Sequence, residues 1–222
     1  MTTQSKLTPS DLSALMCSRI CHDLISPVGA LGTALEVLGD DSNVDMHGDA
    51  LELVKMSAKQ ASSKLQYLRM AFGAAGSSKS SVGVDELKSL VGEMYGDGKI
   101  EISWNGDLAE LEKSRARLLL NLVMLAVQAI PRGGQLTIIC KSINGSDELV
   151  LRAQGRKARL DEAVEKTLAG RAPEDGFDGR TIQPFYAGMI VREIKGQVFA
   201  TATEDEVVFK AICPAIGAQN AA

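Results

Sequence analysis

The sequence predicts an α + α/β chain: an N-terminal helical hairpin that forms a four-helix bundle in a homodimer, followed by a C-terminal α/β sandwich. Three observations carry this. Apolar residues return at three- and four-residue steps through two long runs before residue 73, the spacing of helices that pack on helices. Residues 73–81, Gly-Ala-Ala-Gly-Ser-Ser-Lys-Ser-Ser, then read as a small-residue linker. Beyond it, helical stretches alternate with stretches of period two, the pattern of a sheet layered with helices. The expected domains are therefore 1–76 for the hairpin and 82–215 for the sandwich, with a tail over 216–222.

The first helix is expected over residues 9–39. Thr8 is placed to cap it, Pro9 suits its first position, and Asp11 can reach back to the cap. Leu24, Val28, Leu31, Leu35 and Leu38 form its seam, read as the buried face. At about 100° per residue, His22 lies roughly 200° from both Ile20 and Leu24, in the row Ser18, His22, Ser26, Gly29, Thr33, and so points outward. Pro27 sits inside the helix and predicts a kink or loosened turn just after His22.

Gly39-Asp40-Asp41-Ser42-Asn43 breaks the pattern, and a second helix is expected over residues 45–72. Its Leu51, Val54, Ala58, Ala61, Leu65, Leu68 and Phe72 keep three-four spacing. Two helices offer each other only one line of contact, so stripes this broad call for a partner pair, either from the rest of the chain or from a second copy; the flexible linker favours the second copy and a homodimer is expected.

In the second half, Val84, Leu87, Leu90, Val91 and Met94 mark a helix, and residues 100–104 alternate as a strand. Residues 112–130 read as a long apolar helix ended by Pro131-Arg132-Gly133-Gly134. Strands at 135–141 and 148–153 flank a turn at 144–147, and a helix at 160–169 leads into a loop at 170–179. A helix at 184–195 and a hairpin of strands at 198–202 and 206–212 close an expected sandwich of one sheet and about three helices.

Composition narrows the function. A formal net charge of −4 gives no basic field, so no nucleic-acid partner is expected. The opening residues carry no apolar leader, and the apolar run at 118–130 is short and holds Asn121 and Gln128, so a cytoplasmic chain with no membrane partner is expected. The four cysteines lack paired motif spacing and read as reduced. Cys17 and Cys21, one turn apart beside His22, read as packing residues rather than metal ligands, because no second ligand cluster exists elsewhere.

The stretch Cys21-His22-Asp23-Leu24-Ile25-Ser26-Pro27-Val28-Gly29-Ala30-Leu31 resembles the phosphoacceptor helix of histidine kinases. Residues 117–134, ending Gln128-Ala129-Ile130-Pro131-Arg132-Gly133-Gly134, resemble part of their ATP-binding domain. Three nucleotide contacts of those kinases have no counterpart. Leu125 stands where an asparagine would hold Mg²⁺, and Gln128 where lysine is usual. The strand that would end Asp-x-Gly-x-Gly ends Ala153-Gln154-Gly155-Arg156-Lys157. Ile182-Gln183-Pro184-Phe185-Tyr186-Ala187-Gly188 has too few glycines to wrap a triphosphate.

A kinase-like chain with the histidine and no nucleotide site is similar to the histidine phosphotransferases of alphaproteobacterial cell-cycle phosphorelays. The resemblance implies a homodimer that takes a phosphoryl group from the receiver domain of a hybrid histidine kinase of the CckA type. It implies onward transfer to response regulators of the CtrA and CpdR types. No cofactor is expected in this chain, the receiver supplying Mg²⁺. A diverged ATP-dependent kinase and a non-catalytic scaffold for receivers are the competing readings.

Under that resemblance His22 is the phosphoacceptor and Asp23 assists by holding the imidazole in its reactive tautomer. Ser26, one turn on, is placed to bond phosphoryl oxygens, and Arg19 to offset their charge. Gly29 and Thr33 leave a low surface for a receiver helix. Plainer roles stand beside these: Asp23 paired with Arg19, Gly29 and Gly32 permitting close helix packing, His47 a surface residue at a helix start, and Trp104, Phe185 and Tyr186 core aromatics.

Overall fold

A computed structural model describes residues 7–73, 81–96 and 98–214. Helix α1 spans Pro9–Leu38 and begins as expected: the Thr8 side chain accepts from the Asp11 amide while the Asp11 carboxylate accepts from the Thr8 amide, a complete capping box. A 3₁₀ turn over Asp41–Met46, capped by Asp40, replaces the expected plain break. Helix α2 follows over His47–Phe72 and packs along α1. His47, half-buried, is its first residue.

The expected seam is corrected. Val28 and Leu35 are 55% and 58% exposed, and Leu51 and Leu65 on α2 are exposed as well. Leu68 of the expected α2 seam is buried as read, and the other buried residues are Met16, Pro27 and Ala34 on α1 and Ala50, Ser57, Ser63, Tyr67 and Ala71 on α2. Small side chains bring two helices close, which leaves the branched residues outside the single hairpin. The helix runs on through Pro27 to Leu38.

The second half contains β1 (Ser81–Gly83), α3 (Val84–Tyr95), β2 (Ile100–Gly106), β3 (Glu110–Glu112), α4 (Lys113–Ala129), β4 (Gly134–Ile143) and β5 (Ser146–Gln154). It continues with α5 (Glu162–Leu168), α6 (Ile182–Glu193), β6 (Gln197–Ala202) and β7 (Glu206–Cys213). The main sheet has the order β2-β4-β5-β7-β6, parallel between β2 and β4 and antiparallel elsewhere. One feature went unread in the sequence: the short β1 and β3 pair into an antiparallel ribbon. The four helices of this half lie where the four helical stretches were read, one more than the expected total of about three. The turn into β4 uses Gly133 and Gly134 at φ of +86° and +143°, a backbone that side chains rarely adopt.

Alternate residues of the strands point inward, among them Leu136, Ile138, Leu149, Leu151, Val207 and Phe209, and pack against the almost wholly buried α4. The end of α2 enters the same core: Tyr67, Leu68 and Ala71 belong to one continuous apolar cluster with α4 and the sheet. Polar bonds fasten this junction. The Tyr67 hydroxyl donates to the Leu120 carbonyl at 2.7 Å, and Asn121 Nδ2 to the Ala71 carbonyl at 2.9 Å. Gln183 Nε2 on α6 donates to the carbonyl and side-chain oxygens of Asn121 at 3.0 and 3.1 Å. Most of the expected linker and the tail at 216–222 lie outside the described residues. No helix among the described residues is long and apolar enough to cross a membrane.

Candidate functional site

Midway along α1 the chain displays His22, whose side chain is 84% exposed, as the 100° rotation predicts. Asp23 lies deeper, at 17% exposed, and its Oδ1 is 3.5 Å from His22 Nδ1. The other carboxylate oxygen accepts from Arg19 Nε at 3.1 Å, one turn back. Arg19 reaches further: its Nη1 donates to the carbonyl of Gly179, in the loop before α6, at 3.0 Å. The Arg19 side chain is thus half-buried and engaged at both ends, by Asp23 and by Gly179.

Ser26, Gly29 and Thr33 are exposed on the face that carries His22. The Thr33 hydroxyl donates to the Gly29 carbonyl at 3.3 Å, and a Cβ added at Gly29 or Gly32 meets no atom within 4 Å. Open space at both glycines answers the packing alternative within the chain. It leaves a low, shallow surface beside the imidazole.

Two groups under the histidine were missed by the sequence reading. A proline has no amide hydrogen, so Pro27 cannot bond the carbonyl of Asp23, four residues back. Lys64 of α2 takes that carbonyl instead, its Nζ donating at 3.1 Å. Tyr95, at the end of α3, lies edge-on to Tyr67 with ring centroids 5.7 Å apart. Burial, reinforced by the nearby Asp23 carboxylate, pushes its hydroxyl well above the usual tyrosine range, so it stays neutral.

The positions aligned with nucleotide contacts are occupied by the fold. Leu125 and Ala153 are core residues, and Gln183 is fully buried against Asn121. Arg117 bonds the Tyr186 hydroxyl, and Tyr186 packs edge-on to Phe72. Trp104 and Tyr186 pack against the core, whereas Phe185 faces Phe177 in the wall of a cavity of about 1470 Å³ between the start of α1, α5 and α6. Among the described residues no three His, Cys, Asp or Glu side chains gather closely enough to hold a metal ion.

Residues 84–206 match the family described as histidine phosphotransferase C-terminal domain. The hairpin lies outside that match, but the protein phosphotransferase ChpT of Brucella abortus (strain 2308) aligns across both parts. It is 37% identical over 205 residues, 92% of this chain and 97% of that protein. The chain belongs to the histidine phosphotransferase family. A solved bacterial phosphotransferase superposes with a TM-score of 0.83 at 35% identity, covering 95% of this chain and 100% of that one. The catalytic domain of histidine kinase ThkA overlaps 60% of this chain and 93% of that domain at 19% identity, with a TM-score of 0.47. Membership makes the chain a phosphotransferase.

Proposed function

We propose that His22 is the phosphoacceptor of an Asp-to-His-to-Asp relay. The observation that carries this reading is the orientation of its ring: Nδ1 faces the Asp23 carboxylate and the imidazole stands clear of the helix. A carboxylate on that side favours hydrogen at Nδ1 and leaves the lone pair on Nε2. In the forward step Nε2 attacks the phosphorus of a receiver's aspartyl phosphate. The P–N bond forms, the bond to the carboxyl oxygen breaks, and the receiver's aspartate leaves as carboxylate. The second step reverses these changes on another receiver. Receivers bring the Mg²⁺, and this chain supplies a placed nucleophile, with Arg19 keeping Asp23 in position.

The resemblance suggests the partners: a receiver of a hybrid kinase of the CckA type as donor, response regulators of the CtrA and CpdR types as acceptors. Ser26, Gly29 and Thr33 form the floor on which a receiver helix would rest. ATP plays no part in this reading, which is supported by the packing of Leu125, Ala153 and Gln183. Two hairpins are proposed to join through Ile25, Val28, Leu35, Leu51, Met56 and Leu65, large apolar side chains exposed in the single chain that a second copy would cover. The hairpin at 1–76 is the transfer and dimerisation domain, the sandwich at 82–215 a former nucleotide domain kept for its shape, and the cytoplasm the compartment.

The test is transfer of label from a phosphorylated receiver domain. Acid-labile, alkali-stable label on the wild-type chain, absent from His22→Ala and absent after incubation with ATP and Mg²⁺, is the expected result. Label from ATP would establish a kinase, and receiver binding without any label would leave a scaffold.

A further inference from the structure

We propose that Lys64 is a positioning residue for His22, because its ammonium group replaces, on the Asp23 carbonyl, the helical hydrogen bond that Pro27 removes. The inference rests on His22 being the phosphoacceptor.

Every other residue in mid-helix offers its amide to the carbonyl four positions back, so the turn that carries His22 and Asp23 would be closed by residue 27. Proline closes nothing, and its ring crowds the carbonyl it fails to bond. A carbonyl in that state has two outcomes: it tilts toward water and loosens the turn, or another donor takes it. Lys64 takes it at 3.1 Å, from a position 41 residues away in sequence and on the other helix of the hairpin. Lys64 is half-buried, so its four-carbon stem packs across the helix pair and its charged end has little freedom. Hydrogen bonds from a charged donor are stronger than neutral ones, and this one fixes the backbone of the residue next to the nucleophile.

The side-chain bonds around Asp23 complete the hold. Arg19 fixes its carboxylate at 3.1 Å and Lys64 its carbonyl at 3.1 Å, so both ends of the residue that orients the imidazole are fastened by cations from different elements. Freed of Lys64, the Asp23 carbonyl would be left to water, and the direction of the imidazole would spread. In-line attack is sensitive to such spread, since misplacement by about 1 Å costs up to about 100-fold in rate.

Lys64→Met keeps the apolar stem and removes the donor, and Lys64→Arg keeps a donor. Each is made in the natural background and with Pro27→Ala, which restores an amide at position 27. The expected result is a transfer rate from phosphorylated receiver that falls roughly tenfold in Lys64→Met, with receiver affinity unchanged, and recovers in Lys64→Arg. Combined with Pro27→Ala, Lys64→Met should cost less than twofold relative to Pro27→Ala alone. The His22 ring ¹H–¹⁵N resonances should move in Lys64→Met and stay put when the same change is made on Pro27→Ala. Equal slowing in both backgrounds, or no slowing in either, overturns the proposal. If the wild-type chain takes no label at all, the phosphoacceptor reading fails, and the ring resonances alone still decide whether Lys64 sets the imidazole. Circular dichroism of each variant separates loss of fold from loss of position.

Discussion

Arg19 donates through Nη1 to the carbonyl of Gly179 at 3.0 Å, so the helix that carries His22 is fastened to the loop that leads into α6. The same side chain holds the Asp23 carboxylate through Nε at 3.1 Å. A guanidinium is suited to such a bridge because its donors diverge in one plane, and an ammonium group cannot serve both partners in the same geometry.

Arg19→Lys should therefore keep the charge, lose the Gly179 bond and slow phosphoryl transfer about threefold, and Arg19→Ala about tenfold. Arg19→Ala leaves the largely buried Asp23 carboxylate without its cation and should cost about 1–3 kcal/mol of stability, Arg19→Lys less. Rapid-quench transfer assays beside denaturant melts check both halves.

Val28→Asp together with Leu35→Asp should separate the proposed dimer. Both side chains are more than half exposed in the single chain, so the monomer's own packing loses little. Light scattering should report half the mass, while circular dichroism keeps the helical signal. A wild-type chain that already runs as a monomer would remove the dimer from the reading.

Tyr67→Phe removes one hydroxyl at the junction of hairpin and sandwich. The Leu120 carbonyl loses a buried donor at 2.7 Å, and the expected cost is about 1–2 kcal/mol in unfolding free energy. Urea titration at constant m-value measures it.

Asp178 gives the loop beside Arg19 a pH dependence. The Thr181 hydroxyl donates to its carboxylate, as do the Thr181 and Arg180 amides, and these bonds hold its acid below the ordinary 3.8. A depressed acid stabilises the fold above the unfolded value and loses that contribution as pH falls through the folded one. Thermal melts should show Asp178→Ala less stable than the wild type at pH 7, with the difference narrowing as pH falls below 3.8.

Cys140 and Cys213 should resist alkylation at pH 8 in the folded chain. Burial pushes their thiols to about 12 and about 11, so almost no thiolate is present to react. Mass spectrometry after iodoacetamide should find both unmodified until denaturant is added.

How far the chain could be read depended on the distance over which each feature is determined. The capping box of Thr8 and Asp11 is a local matter, and so is the outward turn of His22. The vacancy that Pro27 creates at the Asp23 carbonyl was legible too, four residues away. What fills it was not, because Lys64 and Gly179 meet α1 only after the helices pair and the sandwich docks. The leucine seam misled for a related reason. Periodicity says that a face is apolar, not whether its cover comes from the same chain: Val28 and Leu35 stay exposed while the smaller Ala34, Ala50 and Ser57 are buried. The strands β1 and β3, three residues each, are too short for alternation to register.

Asn121 grips α2 through the Ala71 carbonyl and α6 through Gln183, so at that depth the hairpin and the sandwich have no hinge between them. A relay fastened in this way needs no internal rearrangement between one visitor and the next. Retuning the hand-over would then fall to the surface contacts that receivers make, leaving the interior untouched.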